Sequence, residues 1–198
     1  MKPFAESSVQ NRAPIFSVIK PYLRNSQSLL EIGSGTGQHA VYFASELPLL
    51  QWQTSELPEH HQGIQMWLDE ARLPNIQLPV ALDVCNAGHW QRLPKYDVVY
   101  TANTLHIMSA DHVCCLFEHL ANHLREGGVF IVYGPFNYKG EYTSESNQGF
   151  DAWLKHRDAQ SGIRDFEWLQ EMAELKGMIL ADDVAMPANN RTLVWKRL

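Results

Sequence analysis

Seven residues, Glu31-Ile32-Gly33-Ser34-Gly35-Thr36-Gly37, separate an apolar run that begins at Ser28 from a segment with helical spacing. Three glycines in that setting make a sharp strand-to-helix turn, supply unusual backbone angles and remove the β-carbons, so a ligand can lie on the main chain. In an open α/β sheet the first such turn, beyond the carboxyl ends of the strands, is where ligands bind. The interval is G-x-G-x-G, whereas a dinucleotide fingerprint places its third glycine one residue later. Glu31, two positions ahead of Gly33, would repel a pyrophosphate but can receive an ammonium group, directly or through water. Spacing and charge together argue against NAD, and so against an oxidoreductase built on it, and favour a cationic amino-acid moiety.

The rest of the chain supports that setting. Short apolar runs at Ser28 to Ile32, Leu50 to Thr54, Gln77 to Leu82, Tyr96 to Thr101 and Gly128 to Tyr133 predict strands, several of them covered on both faces. Helical patterns alternate with them: Val41 to Leu47, stopped by Pro48; Gly63 to Ala71; and Val113 to Leu124, with Ser109 as N-cap. Phe150, Trp153, Leu154 and Arg157 suit a further amphipathic helix, and Asp165 can cap one that stops at Gly177. Met178 to Val184 and Thr192 to Lys196 flank the turn-rich Pro187-Ala188-Asn189-Asn190 and predict an antiparallel pair. The expected fold is a Rossmann-like, doubly wound, seven-stranded mixed sheet with a C-terminal hairpin. No repeat or linker divides the 198 residues, so one domain is expected over 1–198, with 1–27 as a helical cover and 137–176 as a helical or lid insertion.

Composition narrows the partners. A net charge of −6 offers no broad positive field, which disfavours nucleic acid and favours a small-molecule substrate. No apolar run is long enough for a membrane span, and the start of the chain lacks a secretory pattern, so a soluble, unprocessed protein is expected. The three cysteines, Cys85, Cys114 and Cys115, offer no even framework, and the last two are neighbours that would bridge only under strain. A reducing cytoplasm is therefore expected. His119 and His123 share a helix face, but no third ligand accompanies them and His60-His61 reads as an exposed loop, so no metal is expected. Oligomeric state is not legible.

The glycine loop and the chain beyond it resemble the class I S-adenosylmethionine (SAM) dependent methyltransferases, whose first motif is an acidic residue followed by G-x-G-x-G. The resemblance extends from Ser28 to Tyr133, through Ala81-Leu82-Asp83-Val84, Lys95 to Ile107, and Leu124-Arg125-Glu126-Gly127-Gly128. More narrowly, Asn11-Arg12, Asn103-x-x-His106 and Met186-Pro187-Ala188-Asn189-Asn190 resemble a family of uncharacterised methyltransferase-like proteins of about this length, DUF938/UPF0585. That resemblance implies SAM as cofactor, held by Glu31, Gly33, Ser34, Gly35 and Gly37. It also implies Glu56 on the ribose hydroxyls, with Glu59 as a fallback, and Asp83 with Val84 at the adenine. Arg12 is a candidate for the SAM carboxylate.

Methyl transfer mainly requires alignment and exclusion of water. His106 is the candidate base, since a neutral imidazole works near pH 7, and Asn103 can orient the acceptor or touch the cofactor. Tyr133 to Tyr138 can wall an acceptor pocket, and Tyr138 to Asn147, which has no periodicity, is placed where a lid would be useful. The chain is thus expected to transfer a methyl group from SAM to a small molecule. The other reading is a SAM or S-adenosylhomocysteine binding protein without turnover, acting as sensor or scaffold.

Overall fold

A computed structural model describes residues 2–198. Five parallel strands form most of one sheet: β1 (Ser28–Ile32), β2 (Gln51–Glu56), β3 (Ile76–Ala81), β4 (Tyr96–Ala102) and β5 (Leu124–Gly134). Two short strands, β6 (Phe136–Asn137) and β7 (Arg164–Asp165), pair separately, and β8 (Met178–Met186) with β9 (Asn190–Arg197) completes the main sheet. Its order is β3-β2-β1-β4-β5-β9-β8, with β9 antiparallel to both neighbours. This is the seven-stranded mixed sheet that the alternation of runs predicts.

The helices are α1 (Glu6–Leu23), α2 (Gln38–Glu46), α3 (His61–Ala71), α4 (Ala87–Trp90), α5 (Ala110–His123), α6 (Glu145–Arg157) and α7 (Phe166–Leu175). Neighbouring residues on a strand point to opposite faces, so a strand covered on both sides must be apolar throughout. Leu29, Val98 and Ile131 accordingly pack with Ile15, Ile19 and Phe43 of α1 and α2. Leu30, Val99 and Phe130 pack with Leu116, Phe117 and Leu169 of α5 and α7. At the edge, β3 is more exposed and tolerates Pro79, whose missing N–H no outer strand needs.

Several boundaries differ from those expected of the sequence. A proline is most at home in the first turn of a helix, which suggests a start at Pro14; yet α1 begins at Glu6 and carries Pro14 and Pro21 inside, so Asn11 and Arg12 are within it. The apolar spacing runs through Leu124, but α5 ends at His123 and Leu124 already pairs with Tyr96 as the first residue of β5. Ser109 caps α5 as expected, accepting the His112 N–H at 3.1 Å. Asp165 occupies the N-cap position of α7 without a side-chain cap bond. Only the first part of Tyr138 to Asn147 is a loop: Tyr138 and Glu141 form a bridge, and Ser144 caps α6 by accepting from the Asn147 N–H.

Candidate functional site

The strand order brings Asp83, Glu56, Glu31 and Asn103 into one row at the carboxyl ends of β3, β2, β1 and β4. Adjacent strands stand about 4.8 Å apart, so the row spans roughly 14 Å. A cavity of about 920 Å³ runs along it, lined by Glu31, Gly33, Ser34, Gly35, Glu56, Asp83, Val84 and Asn103, with Glu59 at the rim.

Glu31 is 2 % exposed. Its Oε2 accepts both from the Trp52 indole Nε1–H at 3.0 Å and from the Ser34 hydroxyl at 2.9 Å. Its other oxygen has no donor among the described residues. Burial pushes the carboxyl up to about 7, against the pull of those two hydrogen bonds and with a small push from Glu56. A cation arriving at the open oxygen would restore the charge that burial disfavours. Ser34 spends its hydroxyl inside the loop, since besides donating to Glu31 it accepts the Ser55 N–H at 3.1 Å.

Two of the glycines are required for separate reasons. Gly33 has φ +70°, and a β-carbon there would stand 2.8 Å from the Thr104 side chain. Gly35 has φ +55° and no protein atom within 4 Å of where a β-carbon would be, so any side chain would enter the cleft. Gly37 does not line the cleft; it is the left-handed N-cap of α2, packed on Ile64.

Glu56 accepts the Gly35 N–H at 3.0 Å on one oxygen and the Leu57 N–H at 2.9 Å on the other. Each oxygen keeps a lone pair for a further hydroxyl. Asp83 accepts the Cys85 N–H on Oδ1 at 3.0 Å, while its own N–H donates to His89 Nδ1. Arg12 is not brought into the cleft: its guanidinium stacks over Tyr42, 4.6 Å from the ring centre. The earlier N-terminal residues Pro3, Ala5, Ser7 and Ser8 do line it. They are tied down by reciprocal bonds between the Ala5 backbone and Gln38 and by the Trp67 indole donating to the Pro3 carbonyl.

A second cavity, about 690 Å³, opens beside the first and shares Ser7, Asn103 and Ile107 with it. Asn103 holds φ +57°, a conformation asparagine tolerates better than most residues, and its N–H donates to the Tyr133 carbonyl at 2.8 Å. His106, 6 % exposed, lines this second cavity. Neither of its ring nitrogens has a hydrogen-bond partner among the described residues. Burial, and then the nearby Arg164 and Arg157 guanidinium groups, depress its imidazole to about 4, so it is neutral at physiological pH. Tyr133 and Pro135 also line the cavity; Phe136 is core, and Tyr138 instead stacks on Phe166 and donates to Asp183.

Other contributors carry no signal in the sequence alone. His39 lines the first cleft at 8 % exposure, pairs through Nε2 with Asn11 Oδ1 at 2.7 Å, and is depressed by burial to about 4. From α6, Phe150, Trp153 and Arg157 line the second cavity, although their spacing suggests only an amphipathic helix. His60 also reaches the first cleft rather than standing apart in a loop. His119 stacks on Trp90, and the ring nitrogens of His123 lie beside the carbonyls of His119 and Trp90.

The cysteines require a correction. Cys85 and Cys115 form a disulfide with Cα atoms 5.1 Å apart, leaving Cys114 free and exposed. Sequence spacing could not reveal the pair, because it arises where the loop after β3 meets α5. Asp83, Cys85 and His112 bring ligand atoms within 4.8 Å of one another, but the Cys85 sulfur is committed to the bridge. Among the described residues no helix is long and apolar enough to cross a membrane.

The profile of the family described as "Protein of unknown function (DUF938)" matches residues 2–197. The chain belongs to the DUF938 family. Its fold is that of Rossmann-like methyltransferases of known structure. An O-methyltransferase family protein from Burkholderia thailandensis superposes with a TM-score of 0.85 at 14% identity, over 97% of this chain and 57% of that one. An O-methyltransferase family 2 protein from Planctomyces limnophilus, solved with apigenin, gives 0.81 at 14% identity, over 97% and 60%. Human N-acetylserotonin methyltransferase, solved with SAM, gives 0.78 at 15%, over 97% and 53%. This DUF938 chain therefore spans little more than half the length of those proteins.

Proposed function

We propose that this DUF938 protein binds SAM in the cleft at the ends of β1 to β4 and transfers its methyl group to a small molecule held in the adjoining cavity. The observation that carries the reading is Glu31: a buried carboxylate with one free oxygen, beside a bare glycine turn, suits an ammonium group and rejects a diphosphate. Around it, Glu56 suits the ribose diol and Asp83 with Val84 the adenine edge, in the order that one extended nucleoside would require. The fold relatives, one solved with SAM, support the same reading.

SAM bound there would supply a methyl carbon activated by its sulfonium, its carbon–sulfur bond giving way to the new bond on the acceptor and S-adenosylhomocysteine being the co-product. Asn103, at the junction of the two cavities, orients the acceptor. His106 takes the hydroxyl proton on a free ring nitrogen. With its imidazole held near 4 it is a weak base, which favours an acceptor whose hydroxyl is itself acidic. The N-terminal residues and α6 limit the access of water from above.

Calorimetry with SAM and NADH in separate titrations tests the cofactor. SAM is expected to bind and NADH not to; the reverse result ends the proposal. Gly35→Asp should abolish SAM binding by filling and charging the loop. His106→Ala should keep SAM affinity and lower turnover by about 100-fold or more, the usual scale for a general base. Loss of SAM affinity in the histidine variant would make His106 a cofactor contact instead. SAM binding with no mass gain in any compound of a metabolite extract would favour the sensor reading.

A further inference from the structure

The cavity that holds His106 has a charge character opposite to that of the chain around it. Acidic residues outnumber basic ones 22 to 16 in the sequence, yet no aspartate or glutamate lines this cavity. Its one arginine or lysine is Arg157. Among the described residues Arg157 makes no ion pair and donates no side-chain hydrogen bond. The adjacent Asp158 is turned to other work, accepting the Gln160 N–H and lining the first cleft. An unpaired guanidinium presents a planar fork of donors suited to a carboxylate.

A run of aromatic side chains leads from His106 to that guanidinium. The His106 ring meets Phe150 edge-on at 5.3 Å, Phe150 is stacked with Trp153 at 5.8 Å, and Arg157 caps the Trp153 ring at 5.0 Å. Phe150, Trp153 and Arg157 follow one another at i, i+3 and i+7 on α6, so Arg157 stands about 10 Å along the helix from Phe150. Trp153 remains 52 % exposed and Ile107, which also lines the cavity, 48 %. Two large apolar side chains left bare at a cavity mouth gain by covering a flat ligand.

We infer that the acceptor is a small conjugated hydroxy-acid, lying beside Phe150 and Trp153 with its hydroxyl at His106 and its carboxylate on the Arg157 fork. The inference rests on the methyltransferase reading for the fate of the hydroxyl, but the charge selectivity of the cavity is measurable without it.

The test uses two matched pairs, 4-hydroxycinnamate with 4-hydroxycinnamamide and 6-hydroxy-2-naphthoate with its carboxamide. Each is titrated calorimetrically into the full chain, with and without S-adenosylhomocysteine. At least one acid should bind roughly 10-fold or more tightly than its amide, the scale of a hydrogen-bonded charge pair. In Arg157→Gln that preference should fall to within about twofold while amide affinity stays, and Arg157→Lys should restore part of it. Equal binding of acid and amide, or binding of none of the four, overturns the inference. So does an Arg157→Gln variant that weakens acid and amide alike, or one that loses SAM affinity in place of acid preference, which would hand Arg157 to the cofactor. Failure of the methyltransferase reading appears elsewhere: no SAM binding, or an acid that binds selectively and is never methylated.

Discussion

Glu31 shows how much chemistry one buried side chain can carry. Its carboxyl is raised from an ordinary 4.5 to about 7, chiefly because burial disfavours the charge. An ammonium ligand needs the ionised form, so the protein must lose a proton to bind it whenever the pH lies below about 7. Affinity for SAM should therefore rise with pH up to about 7. Calorimetry at pH 6 and pH 8 should find binding about tenfold weaker at pH 6, with proton release that depends on the buffer's ionisation heat. Glu31→Gln should bind weakly at both, with the pH slope gone. A slope that survives in the variant would assign it to another group. For folding the same shift has its own direction: a raised carboxyl stabilises the fold below pH 4.5, and that contribution is lost as pH rises through 7. Glu31 is legible in the sequence because its meaning depends on the three glycines that follow it, the last of them Gly37. Arg157 is not, because its meaning depends on a cavity assembled from α1, the loop after β4, the end of β5, α6 itself and the β8–β9 turn.

At the scale of elements, the strands and the hairpin can be read because burial on both faces leaves an unmistakable apolar run, and β1 and β4 start where that run starts. Helix ends are harder, since hydrophobic spacing reports which face is buried and not where the hydrogen-bond ladder stops. Leu124 is buried whether it ends α5 or begins β5, and its pairing with Tyr96 decides for the strand. The start of α5 is legible through chemistry of its own, the Ser109 hydroxyl receiving the His112 N–H. Ser109→Ala should accordingly cost about 1 kcal/mol in urea denaturation, the usual cost of losing a cap, whereas Ser109→Asp should keep most of the stability. Ser109 also lines the cleft proposed for SAM, so SAM affinity in the alanine variant distinguishes a pure cap from a ligand contact.

The whole molecule places its site across elements distant in sequence, and the bridge between Cys85 and Cys115 ties two of them together. Cys85 follows Asp83 and Val84 on the wall of the cleft at the strand ends, and Cys115 is fixed by α5, which packs into the core through Leu116 and Phe117. The bridge closes a 30-residue separation that contains all of β4, so it joins the outer part of the sheet to its centre. In the chain-entropy account, opening a loop of that size returns about 3–4 kcal/mol of freedom to the unfolded state. Reduction should therefore lower the urea midpoint by roughly 1–2 M, given the denaturant sensitivity usual at this size. SAM affinity should fall with it, because binding must then order the Asp83 to Asn86 turn that the bridge otherwise holds. Cys114→Ser should change neither measurement, since that thiol is exposed and unbridged. Cys115→Ser should reproduce reduction without a reductant, separating the bridge from any wider effect of the reagent. A reduced protein with an unchanged midpoint would mean that β3 and α5 hold the turn by packing alone, through Val84 and Trp90 in the core.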